Sequence, residues 1–448
     1  MKLYARNLQV WVDPADVFVT LFANDEYSFW LDRENHPTHK FSVMSHATDG
    51  RVLSAGEVLA ELDSVKQNLR TSAEAADLDH PYLPFSWRPG YVGWFEYLTE
   101  PLRAKTIDGS WQLVNEAVVI DHEARTIWLS GLFIDDDHFE EWVRAVLLRL
   151  GLSGGRSRGY RQSKETKNTP RLSYLAHDSK EYLRLIGEVQ NHIALGNIYQ
   201  GCLTNQIVFE GAGDSLHAFL RLREENPAPY ASFVRFGTRA LVCSSPEQFL
   251  TMNTEGVVVT KPIKGTRPRS NSQELDRQLA LELANDRKER AENLMIVDLM
   301  RNDLGKVSAA DSVTVDRLFE VESYATVHQL VSTISARLLP TATVGQLIGS
   351  TFPAGSMTGA PKIRAMQIIA NLEQTPRGVY SGAVGYLSSD GSLDLGMVIR
   401  SIFFEGDTAS IGVGGGITSD SNPQAELDEI RLKAKALLRV IGAEDPWL

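Results

Sequence analysis

Residues 256–269 read GVVVTKPIKGTRPR. Val257, Val258 and Val259 are β-branched, the side-chain type that suits a pleated and buried surface, so the run predicts a buried strand. Gly265 and Pro268 break regular structure just after it, which sets Lys264 where a strand opens into a loop. A lysine acts as a nucleophile only once it has lost its proton, and burial or a nearby cation favours that state. Lys261, Arg267 and Arg269 are the cations at hand. The plain alternative is a solvated basic loop, and for an isolated cluster that alternative would prevail.

The rest of the chain bounds the answer. At roughly 100 to 200 residues per domain, 448 residues allow two or three domains and a large core. Asp and Glu number 57 against 45 Lys and Arg, and the net charge of -12 argues against a nucleic-acid or anionic-membrane partner. Cys202 and Cys243 form no CxxC pair and read as structural thiols of a reducing compartment. Asn7 and Gln9 interrupt what a signal peptide would need, and no apolar run approaches the roughly 18 residues of a membrane span. A cytoplasmic protein is expected.

Residues 1–150 read as a mixed region. Val17–Phe22, Ala117–Ile120 and Thr126–Leu132 are expected strands, and Asp137–Leu150 has a helical apolar period. Arg88–Leu98, RPGYVGWFEYL, reads as a strand packed closely on other backbone. In residues 151–171 apolar side chains nearly vanish, which marks a linker. A helix over Ser179–Leu195, capped by Asp178 or Ser179, opens the 172–448 region.

The chemistry-bearing residues lie in that second region. Gln200 is a neutral amide near the start of a strand, and Glu247 is a carboxylate at a strand end. Ser272 to about Leu304 reads as one long helix containing RAENLMIVDLMRNDLG, closed by Gly305, with Glu292 on it. His328 sits in an apolar stretch, where a satisfied core histidine is the commoner outcome. The segment TFPAGSMTGAPKIRAMQII precedes a helix whose free N–H groups would suit an anion. GVYSGAVGYLSSDGSLDLGMVIRSIFF reads as two strands around an SSDG turn, which puts Tyr386 and Arg400 on neighbouring strands. Gly414, Gly415 and Gly416 allow close backbone approach to a ligand, without the spacing of a nucleotide loop. On the last helix Glu426, Glu429 and Lys433 share a face. Two carboxylates there and Glu292 from another helix form an oxygen-only set that suits Mg²⁺ over zinc.

Taken together, PIKGTRPR, RAENLMIVDLMRNDLG, TVHQLVSTI, FPAGSMTGAPKIRAMQII, SGAVGYL, IRSI and GGGITSDSNPQAELDEIRLKAKALL resemble the chorismate-utilising enzymes. This is the family of anthranilate synthase component I and aminodeoxychorismate synthase component I. The match covers about residues 175–445 in the family's order. It implies an α+β fold of two large, mainly antiparallel sheets packed as a sandwich with helices outside. It further implies that chorismate binds with Mg²⁺ held through Glu292 and Glu429, Glu426 being nearby. Arg400, Tyr386 and the backbone of Gly414–Gly416 match positions that hold the substrate's carboxylates. His328 matches a histidine near the departing hydroxyl, and Thr358 and Lys433 fall in substrate-side segments.

Lys264 divides the family. Anthranilate synthases carry alanine within PIAGT, whereas aminodeoxychorismate synthases carry the lysine of PIKGT, as here. Isochorismate and salicylate synthases have a lysine where this chain has Gln200. The resemblance thus implies amination of chorismate, with Lys264 as nucleophile and Glu247 as acid/base. Neither cysteine has a glutaminase signature, so ammonia is expected from a separate glutamine amidotransferase subunit. Family members also bind tryptophan between the N-terminal region, here Tyr27–Asn35, and a segment like Asn226–Tyr230, which makes tryptophan a candidate ligand. Anthranilate synthesis and a non-catalytic chorismate-binding subunit are the alternatives.

Overall fold

The computed structural model describes residues 1–71, 83–97, 107–152, 169–324 and 327–447. Its strands form one sheet of twelve and one of ten, built from antiparallel pairs. Side chains alternate between faces along a strand, and the strand Tyr27–Asp32 shows what that does. Phe29 and Leu31 point inward and join Val234 and Leu241 of the same sheet against Val92, Trp94 and Val384 of the other. Trp30 points outward, with Phe233, into a second core that contains Tyr182, Leu185 and Phe219 of the helices Ser179–Ala194 and Ser215–Glu225. A third core sets Leu250, Ile334 and Leu395 of the ten-stranded sheet beneath Ile296, Val297 and Leu347 of the helices Arg287–Gly305 and Val344–Thr351. The molecule is therefore a sandwich of two sheets with helices on both outer faces, the expected fold.

The regions 1–150 and 172–448 share both sheets. Tyr27–Asp32 pairs with Tyr230–Phe236, and Gly90–Phe95 pairs with Ala383–Ser388. That second pairing is tight: a Cβ on Gly90 would collide with the backbone of Leu387 and Ser388, as the expected close packing of this strand requires. Most of the expected 151–171 linker lies outside the described residues, and Arg171 already begins the strand Arg171–Leu175.

Three expectations need correction. Val17–Phe22 belongs to the helix Pro14–Phe22, started by the Asp13 side chain on the Ala15 N–H and by Pro14 at the first position. A short apolar run fits either a strand or a buried helix face, and Asp13 followed by Pro14 marks the helix start. The single helix from Ser272 to Leu304 is two helices, Gln273–Asn285 and Arg287–Gly305, because Asp286 leaves helical geometry and caps the Glu289 N–H. Finally, after the hairpin Ala383–Ser388 and Leu393–Met397 the chain crosses at Arg400, with φ +52°, into the strand Ser401–Glu405 of the other sheet. Tyr386 and Arg400 are thus not on neighbouring strands, and Tyr386 faces Asp394 instead. No helix among the described residues is long and apolar enough to cross a membrane.

Candidate active site

Lys264 lies in a strand, Ile263–Pro268, and not in a loop. Ile263 opposes Val331 and Thr266 opposes Gln329, so the strand carries one extra residue over this interval. Such a bulge bends a strand and re-aims a side chain. Gly265 makes it possible: its φ is +83°, and a Cβ there would stand 2.8 Å from Leu283 and 3.0 Å from Glu289. Lys264 is consequently mostly buried, with Nζ 3.8 Å from Glu292 Oε2.

The facing wall belongs to the other sheet. The strand Thr408–Ile417 pairs Gly416 with Cys202, Gly415 with Leu203 and Gly414 with Thr204. A Cβ on Gly416 would collide with the Gln200 amide and come within 3.1 Å of Lys264 Nζ; one on Gly415 would lie 3.2 Å from Glu426 Oε2. The glycines are what let the side chains of Gln200, Lys264 and Glu426 crowd this strand. Gln200 is buried, and its Oε1 finds no hydrogen-bond partner among the described residues. A buried acceptor left unmet is costly, and such an atom commonly awaits a ligand or water.

Glu247 follows the strand Arg239–Ser245 and is 6% exposed. Burial raises its pKa to about 7, against the opposing pull of Ser356, the Lys264 charge and the Ile263 N–H. A carboxyl poised near neutrality beside a buried lysine is suited to both giving and taking a proton.

Two helices bring the acids. Glu292 is buried on Arg287–Gly305, and burial raises its pKa while Lys264 and Lys288 oppose the shift. Glu426, on the helix Pro423–Ile441, accepts from Ser421 Oγ at 2.7 Å. Lys288 stands between them, 3.9 Å from Glu292 and 3.5 Å from Glu426. Glu429 is turned to Lys433 at 2.7 Å, and although burial works against its charge, Lys433 brings its pKa below the ordinary value. Lys433 also donates to the Gly414 carbonyl at 2.7 Å. Arg400, whose pKa burial lowers, is opposed in this by the charges of Tyr380 and Glu429.

Three expected site residues have other employment. His328 is buried with both ring nitrogens engaged, Nδ1 by Ser323 at 2.8 Å and Nε2 by Asp276 at 3.0 Å. This is the satisfied histidine of the plain reading. Thr358 returns its hydroxyl to the carbonyls of Ala354 and Gly355. The Tyr386 hydroxyl meets Ser86 at 2.8 Å, in a different cavity. The tyrosine coupled to Arg400 is Tyr380, six positions earlier and packed over Gly412. Gln329, next to His328 and so on the opposite face of its strand, has a buried Oε1 without a partner among the described residues. Sequence reading passed over Tyr380, Gln329 and Lys288, although Lys288 was detectable four residues before Glu292 on a helix.

Residues 24–439 match the family described as chorismate binding enzyme. The chain belongs to that family. The chain is 38% identical to the aminodeoxychorismate synthase of Streptomyces griseus over all of its length and 65% of that protein. It is 35% identical to aminodeoxychorismate synthase component 1 of Salmonella typhimurium over 90% of each chain. Its fold matches anthranilate synthase component I from Streptococcus pneumoniae TIGR4 with a TM-score of 0.71 at 28% identity, over 98% of this chain and 92% of that one.

The site has residues that fit Mg²⁺. Glu292 and Glu426 offer hard oxygen donors, and a cation, the Lys288 ammonium, already lies between them. Among the described residues no three acidic, histidine or cysteine side chains are grouped so as to hold a metal ion. A second cavity of about 190 Å³, between the sheets, is lined by Arg33, Phe41, Phe85, Trp87, Tyr386 and Asp394. Arg33 stacks 4.3 Å over Tyr230 and pairs with Asp394 at 3.4 Å, which joins the two segments expected to meet tryptophan.

Proposed function

We propose that this chain is the aminating component of an aminodeoxychorismate synthase, converting chorismate and ammonia to 4-amino-4-deoxychorismate. The observation that carries the reading is a mostly buried Lys264 re-aimed by a bulge against the glycine strand, within the field of a carboxyl whose pKa is about 7. In its amine form Lys264 attacks ring C2; the two ring double bonds shift and the C4–O bond breaks. Glu247, protonated, gives its proton to the departing hydroxyl, which leaves as water, and takes one back from the alkylated lysine. Ammonia then adds at C4, the double bonds return, and the C2–N bond to Lys264 breaks as Glu247 gives its proton back to the departing lysine nitrogen, which leaves as the neutral amine. Glu292, Glu426 and Glu429 would hold Mg²⁺, which supplies positive charge against a substrate carboxylate. The enolpyruvyl group stays in place, so a separate lyase would be needed to make 4-aminobenzoate.

Ammonia is drawn from a separate glutamine amidotransferase subunit in this reading. Cys202 and Cys243 are both buried, and burial raises both thiol pKa values, so neither suits a glutaminase nucleophile. Free buried thiols also suit a reducing compartment such as the cytoplasm. Tryptophan is the ligand we assign to the 190 Å³ cavity; calorimetry that registers no heat with tryptophan removes that assignment.

The deciding experiment incubates the protein with chorismate, Mg²⁺ and ammonium salt at alkaline pH and weighs the product. Aminodeoxychorismate is expected. An anthranilate mass would sink the proposal, and no turnover even with an amidotransferase partner would favour a non-catalytic subunit.

A further inference from the structure

We infer that Lys288 is a resident counter-ion: it holds the cation position between Glu292 and Glu426 and must be displaced for the divalent metal to bind. The inference rests on the Mg²⁺ site of the proposed function and adds to it a residue that sets how tightly the metal is held.

Its basis is a mismatch between the acids and their lysine. The side chains of Glu292 and Glu426 are only 10% and 6% exposed, so both carboxylates have lost most of their water. Lys288 lies at 3.9 and 3.5 Å from them, well beyond the roughly 2.7–2.9 Å of a charge-assisted hydrogen bond. It balances their charge while giving Glu426 only a long hydrogen bond and Glu292 a loose ion pair. A divalent ion would do both, with oxygen ligands at roughly 2.0–2.1 Å. Lys288 can also leave: its side chain is 46% exposed, and its hydrogen bond to Glu426 is long, at 3.5 Å. Lys264 cannot take over the role while it serves the ring, being mostly buried and directed at the glycine strand. An unmet buried acceptor, Gln200 Oε1, lies on the same wall and marks the pocket as one built for a polar occupant.

Displacement has a consequence for affinity. Metal binding must break two loose ion pairs, so part of the attraction of the carboxylates is spent before the metal gains it. Removing the ammonium while keeping the stem isolates this cost.

The test measures metal directly and needs no turnover. Mg²⁺ is titrated calorimetrically into the wild-type protein, Lys288→Met and Lys288→Arg, without chorismate. Lys288→Met is expected to bind Mg²⁺ about tenfold more tightly, and Lys288→Arg no more tightly than wild type. Thermal melting gives the second readout. Without metal Lys288→Met should melt below wild type, because Glu426 loses its nearest cation and Glu292 keeps only Lys264, and saturating Mg²⁺ should raise its Tm by more than that of wild type. Equal affinities in the three proteins, weaker binding by Lys288→Met, or no Mg²⁺ binding by any of them overturns the inference. Product identity is independent of these outcomes: a protein that made anthranilate would end the amination reading and leave the counter-ion untouched.

Discussion

Glu247 and Lys264 are opposite charges whose burial serves chemistry at the expense of stability. The Glu247 pKa of about 7 lies above the usual carboxylate value, so the folded protein holds a proton that the unfolded chain has released. Its contribution to stability is therefore present below the unfolded pKa and is lost as pH rises through about 7. Glu247→Gln, which cannot ionise, should be more stable than wild type at pH 8, by on the order of 1–2 kcal/mol, with the gap closing by pH 5. Urea unfolding at the two pH values measures it. The same variant should lose about 10²-fold or more in turnover, the scale of a lost general acid/base. Lys264→Ala should abolish any chorismate adduct seen by mass spectrometry of the intact protein. An adduct that survives the change rules out the proposed nucleophile.

At the scale of elements, the bulge at residues 263–266 decides where Lys264 points. Gly265→Ala places a Cβ against Leu283 and Glu289 at a positive φ, and a cost of roughly 1–3 kcal/mol is expected. Because the Leu283 and Glu289 side chains must then shift and the bulge with them, activity should fall by more than stability alone explains; comparing kcat at two temperatures below the measured melting transition separates the two. This geometry was only half legible in the sequence. Val257–Thr260 and the glycine were readable, but a bulge depends on which residue of a distant strand lies opposite, and no local pattern encodes that. His328 shows the same limit. A motif places a residue on a strand, yet one step along that strand reverses the face, so His328 goes to Asp276 while Gln329 goes the other way. Tyr386 was misjudged for a related reason: the crossing at Arg400 moves the chain from one sheet to the other, so nearness in sequence ceased to mean nearness in space. Glu292, Glu426 and the glycine strand were readable because helix periodicity and glycine both act locally.

For the whole molecule, pH acts through a buried histidine far from the chemistry. His36 is 6% exposed, accepts the N–H groups of Thr38 and His39 on Nδ1, and is held neutral by burial and then by Arg33, His39 and Lys261, with its pKa lowered to about 2. The unfolded chain takes up a proton near pH 6.5 that the folded imidazole refuses, so stability declines as pH drops below that point, by up to about 1.4 kcal/mol per unit. In His36→Asn, which keeps an acceptor for the same N–H groups, the fall in urea midpoint between pH 7 and pH 5 should be visibly smaller. An identical fall in both proteins would assign the acid sensitivity elsewhere.

Lys264 comes from the ten-stranded sheet, and Gln200 with Gly416 from the twelve-stranded one. The distance between nucleophile and glycine wall is thus a gauge of how the sheets sit on each other, and strands from residues 1–150 help to set that distance from both sides. Substitutions in the core between the sheets, at Phe29 or Trp94, remote from every reacting group, are therefore candidates for altered substrate affinity in a protein that still folds. Catalytic tuning in such an architecture is distributed: selection can adjust the reaction through the half of the chain that carries none of its chemistry.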